Sequence, residues 1–154
     1  MSNVFVSLGT NLGNKQLNLI QAIAQIELKI GTIAQKSSIY KTEPWGYQSF
    51  NNFLNQVICV ETTLSPNEVL HNLLQIEKNM GRVRASADYE DRIIDLDILL
   101  YDEIIINQPE LKIPHPNMHL RQFILEPLSE LQPMLTHPKL NQSILALLKG
   151  LKQQ

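Results

Sequence analysis

The sequence predicts an α+β domain of ferredoxin-like type: an antiparallel sheet laid down in the order β-α-β-β-α-β, with helices on both faces as a three-layer α/β/α sandwich. Three observations carry the prediction. Short β-branched runs alternate with two amphipathic helical stretches, and glycine follows each of those stretches. The chain from 102 onward holds six of the eight prolines, so it must break into short elements that can cover the second face.

Each element has its own signal. Residues 3–8, with β-branched Val4 and Val6, run into Gly9-Thr-Asn-Leu-Gly13, a strand ending in a turn. Over 15–30, Leu19, Ile20, Ile23, Ile26 and Ile30 recur at helical spacing, and Gly31 suits the position after the helix. Residues 33–41 read as a strand. Pro44 and Gly46 then open a loop, and 52–62 form a second strand, antiparallel to the first. Ser65, Pro66 and Glu68 spell an N-cap, a first-turn proline and a capping box. Val69, Leu70, Leu73, Ile76 and Met80 give that helix its apolar stripe, which Gly81 ends. Residues 82–92 have many charges and no apolar period, as an exposed loop would. Residues 93–101 form a strongly apolar strand, and a last helix is expected over 142–149 with Gly150 as its cap.

Composition narrows the class. At 154 residues and 44% hydrophobic, the chain can bury a core, and no repeat or linker divides it, so a single domain over 1–154 is expected. Thirteen basic against fifteen acidic residues give a net charge of −2 without a polybasic run, which argues against a nucleic-acid backbone as partner. One cysteine, Cys59, excludes an internal disulfide. No apolar stretch approaches the roughly 18 residues of a membrane span, and no signal peptide opens the chain, so a cytoplasmic protein is expected.

The charges are clustered. All four arginines (Arg82, Arg84, Arg92, Arg121) and all five aspartates lie between 82 and 121. Arginine forks bind phosphate oxygens, and carboxylates hold hard cations, so the cluster is what a nucleotide–metal site would need. Asp95 and Asp97 interrupt an otherwise apolar strand. Alternation puts both on one face, about 6.6 Å apart along the strand, with Ile94, Leu96, Ile98 and Leu100 on the other and Leu99 and Tyr101 beside the acids. Two carboxylates that close repel unless a cation joins them, and magnesium takes one or two carboxylates beside waters and phosphates. Glu77 sits at the border of its helix's stripe, where a carboxylate either reaches solvent or supports a polar site. Phe53 and Asn55 share a strand face, an aromatic plate beside a donor–acceptor edge. His115 and His119 have Pro116 between them and no H-E-x-x-H pattern, so zinc is not indicated. The glycines of 9–13 match neither the Rossmann nor the P-loop fingerprint.

Several stretches together resemble the 6-hydroxymethyl-7,8-dihydropterin pyrophosphokinase family of folate biosynthesis. They are Ser7-Leu-Gly-Thr-Asn-Leu-Gly13, Tyr40-Lys-Thr-Glu-Pro-Trp-Gly46, Phe53-Leu-Asn-Gln56 and Ile76-Glu-Lys-Asn-Met-Gly-Arg82. Arg92-Ile-Ile-Asp-Leu-Asp-Ile-Leu99 and Ile113-Pro-His-Pro-Asn-Met-His-Leu-Arg-Gln-Phe123 complete the set, in family order along nearly the whole chain. The resemblance implies transfer of pyrophosphate from ATP, the co-substrate, to the pterin hydroxymethyl group. It implies two Mg2+ ions on Asp95 and Asp97, and phosphate contacts from Arg82, Arg84, Arg92, His115 and Arg121. Glu77 would stand behind the metals, while Ile98 and Lys112 would lie on the nucleotide side. Phe53 and Phe123 would sandwich the pterin, with Asn55, Thr42 and Trp45 reading its edge. Glu90-Asp91 replaces a common Gly-Pro, Leu74 stands where some members have glutamine, and Glu110 leaves the basic contact of its segment open. A two-metal nuclease lacks its basic track here. A non-catalytic ferredoxin-like ligand-binding module would leave the aspartates of an apolar strand unexplained.

Overall fold

The computed structural model describes residues 1–42, 52–81 and 93–153. Strand β1 (Ser2–Thr10) leads to helix α1 (Lys15–Lys29), then to β2 (Thr32–Lys36), β3 (Tyr40–Thr42) and β4 (Phe53–Thr62). Helix α2 (Pro66–Asn79) and strand β5 (Asp95–Tyr101) follow, then a small hairpin of β6 (Ile106–Asn107) and β7 (Lys112–Ile113). Helices α3 (Gln122–Leu131) and α4 (Ile144–Lys152) close the chain. The main sheet runs β2-β4-β1-β5, with β3 continuing beside β4, and every neighbouring pair is antiparallel. This is the ferredoxin-like order, with β1 central and β5 at an edge.

Two apolar clusters lie on the two sides of the sheet. Leu19, Ala22 and Ile26 of α1 and Val69, Leu73 and Ile76 of α2 pack with Val4, Val6, Leu8, Ile58 and Val60. On the opposite side, Ile124, Leu125 and Leu128 of α3 and Ile144 and Leu148 of α4 meet Phe5, Val57, Cys59 and Leu99. The proline-rich tail thus supplies the third layer. Burying a side chain such as Leu73 or Leu125 contributes about 1.5–3 kcal/mol, so both layers are strongly held.

The local signals act as their chemistry dictates. Ser65 accepts from Glu68 N–H while the Glu68 carboxylate accepts from Ser65 N–H, and Pro66 opens α2. Gly81 follows α2 at φ +95°, a conformation that glycine adopts without a side-chain clash. Gly31 follows the C-cap of α1 for a different reason: a Cβ there would stand 2.0 Å from the Glu61 carbonyl oxygen.

Other expectations need correction. Ile20 does not join the α1 stripe and is 64% exposed; Ala22 takes its place, because Leu19, Ala22 and Ile26 share one helical face. The single strand expected over 33–41 is two strands. At the break the Ser37 hydroxyl accepts from Val57 N–H and the Ser37 carbonyl accepts from the Gln56 amide, replacing regular ladder pairing. The last helix runs through Gly150 to Lys152, with Ser143 as its N-cap. Pro127 sits inside α3, so its nitrogen has no hydrogen for the Phe123 carbonyl.

The most informative correction concerns β5. Its register against β1 shifts between Phe5 and Val6, so Val6 opposes Ile98 and Phe5 opposes Leu100. Leu99 is the extra residue of a bulge, and alternation inverts there. Leu100 therefore joins Leu99 on the α3/α4 side and Tyr101 joins the α1/α2 side, the reverse of simple alternation.

Candidate active site

One end of the α3/α4 face gathers the chemistry-bearing residues. Gly9 on β1 lies opposite Asn55 on β4 and opposite Asp95 on β5, and Ser7 lies opposite Val57 and Asp97. Side chains at directly paired positions share a face, so Asn55, Asp95 and Asp97 project to the same side of the sheet. Both aspartates are partly exposed, whereas Leu96 between them is buried on the other face. The carboxylates are hard oxygen donors two residues apart. They suit a magnesium ion that completes its shell with water and phosphate oxygens. Among the described residues no group of three or more His, Cys, Asp or Glu side chains converges on a point.

Glu77 is 2% exposed, and its Oε2 accepts from Leu96 N–H at 2.7 Å. An edge strand leaves half of its N–H groups without a partner strand. Glu77 satisfies the one that lies between the two aspartates. Its carboxylate therefore does not reach solvent but holds the β5 backbone between Asp95 and Asp97.

The aromatic side of the site is built from β3, β4 and α3. Asn55 is 7% exposed and donates to the Thr42 hydroxyl at 2.7 Å, which fixes the amide's orientation. Phe53, paired with Thr42, is half-buried on the same face. Phe123 stands in the first turn of α3 against the Phe5–Val57–Leu99 cluster. The Arg121 guanidinium lies 5.8 Å from the Phe123 ring centroid.

His115 approaches β5 by donating its backbone N–H to the Leu99 carbonyl at 2.9 Å, while its Nδ1 accepts from Asn117 N–H at 3.1 Å. Burial and the neighbouring Arg121 charge press its pKa down to about 4, against a smaller opposing pull from Asp95. The imidazole is neutral at pH 7. Ile98 differs from the rest: its side chain is buried in the α1/α2 cluster, on the face away from Asp95 and Asp97. Only its backbone, on the sheet's edge strand, faces outward. Lys112 is exposed on β7 and donates to the Asn107 side chain at 2.8 Å. Arg82, Arg84, Arg92 and Trp45 lie outside the described residues, as do all but the last residue of the loop expected over 43–52 and all of the loop expected over 82–92.

Sequence reasoning missed several supports. The Asn18 amide donates to the Leu12 carbonyl at 2.8 Å and the Ile93 carbonyl at 3.2 Å, tying the turn after β1 to the segment just ahead of β5. Glu130 of α3 accepts from Ser38 N–H, the Ser38 hydroxyl and the Tyr40 hydroxyl, holding the start of β3. Neither pair leaves a local sequence pattern. A cleft of about 860 Å³ lined by Asn3, Gln35, Cys59 and Asp102 lies at the opposite end of the sheet, away from these residues.

Residues 5–133 match the family model for 7,8-dihydro-6-hydroxymethylpterin-pyrophosphokinase. The chain belongs to this family. A 2-amino-4-hydroxy-6-hydroxymethyldihydropteridine pyrophosphokinase of Porphyromonas gingivalis is 40% identical over 142 residues, covering 90% of this chain and 96% of its own. The namesake from Aquifex aeolicus is 36% identical over 138 residues, covering 90% and 85%. Among solved structures, a Plasmodium falciparum HPPK-DHPS triple mutant superposes with a TM-score of 0.80 over 97% of this chain. At 20% identity that likeness shows the fold, and this chain spans 44% of the Plasmodium chain. As a member of the pyrophosphokinase family the protein is an enzyme of pyrophosphoryl transfer in folate biosynthesis. The non-catalytic module is not favoured. No helix among the described residues is long and apolar enough to cross a membrane.

Proposed function

We propose that the chain moves the pyrophosphoryl group of ATP onto the hydroxymethyl oxygen of 6-hydroxymethyl-7,8-dihydropterin, acting as a monomeric, cytoplasmic, single catalytic domain over 1–154. The pterin oxygen attacks the β-phosphorus, the bond from that phosphorus to the oxygen shared with the α-phosphate breaks, and AMP leaves with that oxygen. Two Mg2+ ions held by Asp95 and Asp97 would neutralise phosphate charge as the oxygens exchange. Asp97, the further along β5, assists loss of the hydroxyl proton. Phe53 and Phe123 stack on the pterin, while Asn55 and the backbone near Thr42 and Trp45 read its polar edge. Arg82, Arg84, Arg92 and Arg121 grip phosphate oxygens, and neutral His115 offers a hydrogen bond rather than a charge. Ile98 through its backbone and Lys112 lie toward the nucleotide, with Glu77 fixing the metal strand from behind.

The observation that carries this reading is the juxtaposition across one strand: Gly9 has Asn55 on one side and Asp95 on the other. A ring edge held at Asn55 therefore lies one strand from the carboxylate pair. The test is to incubate the enzyme with ATP, Mg2+ and the pterin and to separate the nucleotides. AMP formed only with pterin and metal supports the reading. ADP in place of AMP overturns the pyrophosphoryl step, and undiminished turnover in EDTA overturns the metal.

A further inference from the structure

Gly9 lies inside the central strand, between buried Leu8 and Thr10, where glycine weakens a sheet. Two ordinary reasons for a glycine do not apply. Its φ is not positive, unlike Gly13 at +69° and Gly81 at +95°. It is not crowded in the way of Gly31. A Cβ built on Gly9 would meet Asn55 Oδ1 at 3.4 Å and Phe53 Cδ1 at 3.8 Å, ordinary contact distances. Neither backbone nor packing asks for glycine, yet the position is partly open to solvent on the face that carries Asn55 and Asp95. A glycine of this kind marks a place where another molecule comes close to the backbone.

We propose that Gly9 is a specificity-determining position of the pterin pocket, leaving bare the strip of strand between Asn55 and Asp95 so that the flat substrate can approach the main chain. The proposal rests on the assignment of the pterin to Asn55, Phe53 and Phe123. A methyl on this strip occupies the depth the ring and its hydroxymethyl group need, without touching the nucleotide side.

The test compares Gly9→Ala and Gly9→Ser with the natural protein. The pterin is titrated in the presence of Mg2+ and a non-hydrolysable ATP analogue, the analogue is titrated alone, and thermal unfolding is recorded. The expected result is a pterin Kd raised at least about tenfold by Ala, and further by Ser, on the scale of a buried steric misfit. The analogue's Kd should stay within about twofold, and the Tm of Gly9→Ala should be unchanged or higher. Natural pterin affinity in Gly9→Ala overturns the proposal. So does a Tm lowered by more than about 5 °C, which would make the glycine a packing requirement. Asn55→Ala is titrated in parallel. If it weakens the pterin while Gly9→Ala does not, only the role of Gly9 fails. If both leave the pterin unaffected, the pterin assignment itself fails.

Discussion

The carboxylate of Glu77 grips the backbone of β5 at Leu96, 2.7 Å from its nitrogen and midway between Asp95 and Asp97. Helix α2 therefore sets the height at which the two carboxylates stand. Glu77→Ala should leave Leu96 N–H buried without this acceptor and cost about 1–3 kcal/mol. Apparent Mg2+ affinity should drop about 10-fold or more, as with other supports of metal ligands. Glu77→Gln keeps an oxygen for the N–H and should retain most of the stability. Chemical unfolding and rates measured against Mg2+ concentration check both, and natural stability in the alanine variant would count against the grip.

Asp95→Ala and Asp97→Ala should each lower kcat by at least about 10²-fold, the scale of losing one preorganised electrostatic element in a transition state. Their folds should persist, since both side chains are partly exposed. Steady-state turnover at saturating Mg2+ decides the matter: near-natural rates in both would remove them from the chemistry.

Phe123→Ala should weaken pterin binding by about 1–3 kcal/mol, the value of stacking a flat ring on an aromatic face. ATP affinity should hardly move. Calorimetric titration separates the two, and weakened ATP with unaffected pterin would place Phe123 on the nucleotide side.

The Glu130–Tyr40 contact joins α3, which begins beside Phe123, to β3, which ends at Thr42. Burial, and after it the Glu130 hydrogen bond and charge, push the Tyr40 hydroxyl up to about 12, so it stays protonated and donating. Glu130→Gln should cost on the order of 1 kcal/mol after screening of this exposed carboxylate. KM for the pterin should rise severalfold with KM for ATP unchanged. Tyr40→Phe removes one of the three donors and should do less. A parallel rise of both KM values would mark Glu130 as a general scaffold instead.

His137 is buried, and its Nδ1 accepts from Lys139 and Leu140 N–H. Burial, then the neighbouring His119, lower its pKa below the usual histidine value. A lowered folded-state pKa means that the folded protein takes up the proton less readily than the unfolded chain. Its stabilising contribution is therefore complete above about pH 6.5 and fades as the pH falls through the folded value. Melting curves between pH 7 and 5 should show a decline that His137→Asn, which keeps an acceptor, flattens. An identical slope in both proteins would refute this.

What the sequence made legible was local. The cap of α2 depends on residues three apart, and the strands on alternation within ten residues, so short windows contain them. Asp95 and Asp97 stood out because acids inside an apolar run need a reason. Glu77 and Leu96 are 19 residues apart, and Tyr40 and Glu130 are 90 apart. Such pairs exist only once the chain has folded, and one sequence carries no trace of them. The inversion within β5 was hidden for a related reason: a bulge is defined against its partner strand, and Leu99 alone looks like any apolar residue.

That bulge lets one short strand serve two faces. Ahead of Leu99 the odd-numbered positions present acids to the α3/α4 side. Beyond it Tyr101 turns the other way and donates its hydroxyl to the Leu64 carbonyl, just ahead of the Ser65 cap of α2. Without the extra residue, the strand would have to give up either the acids' outlook or the tether to α2. Leu99 thus acts as a half-turn swivel, and a one-residue deletion there should cost more than any single side chain of β5 is worth.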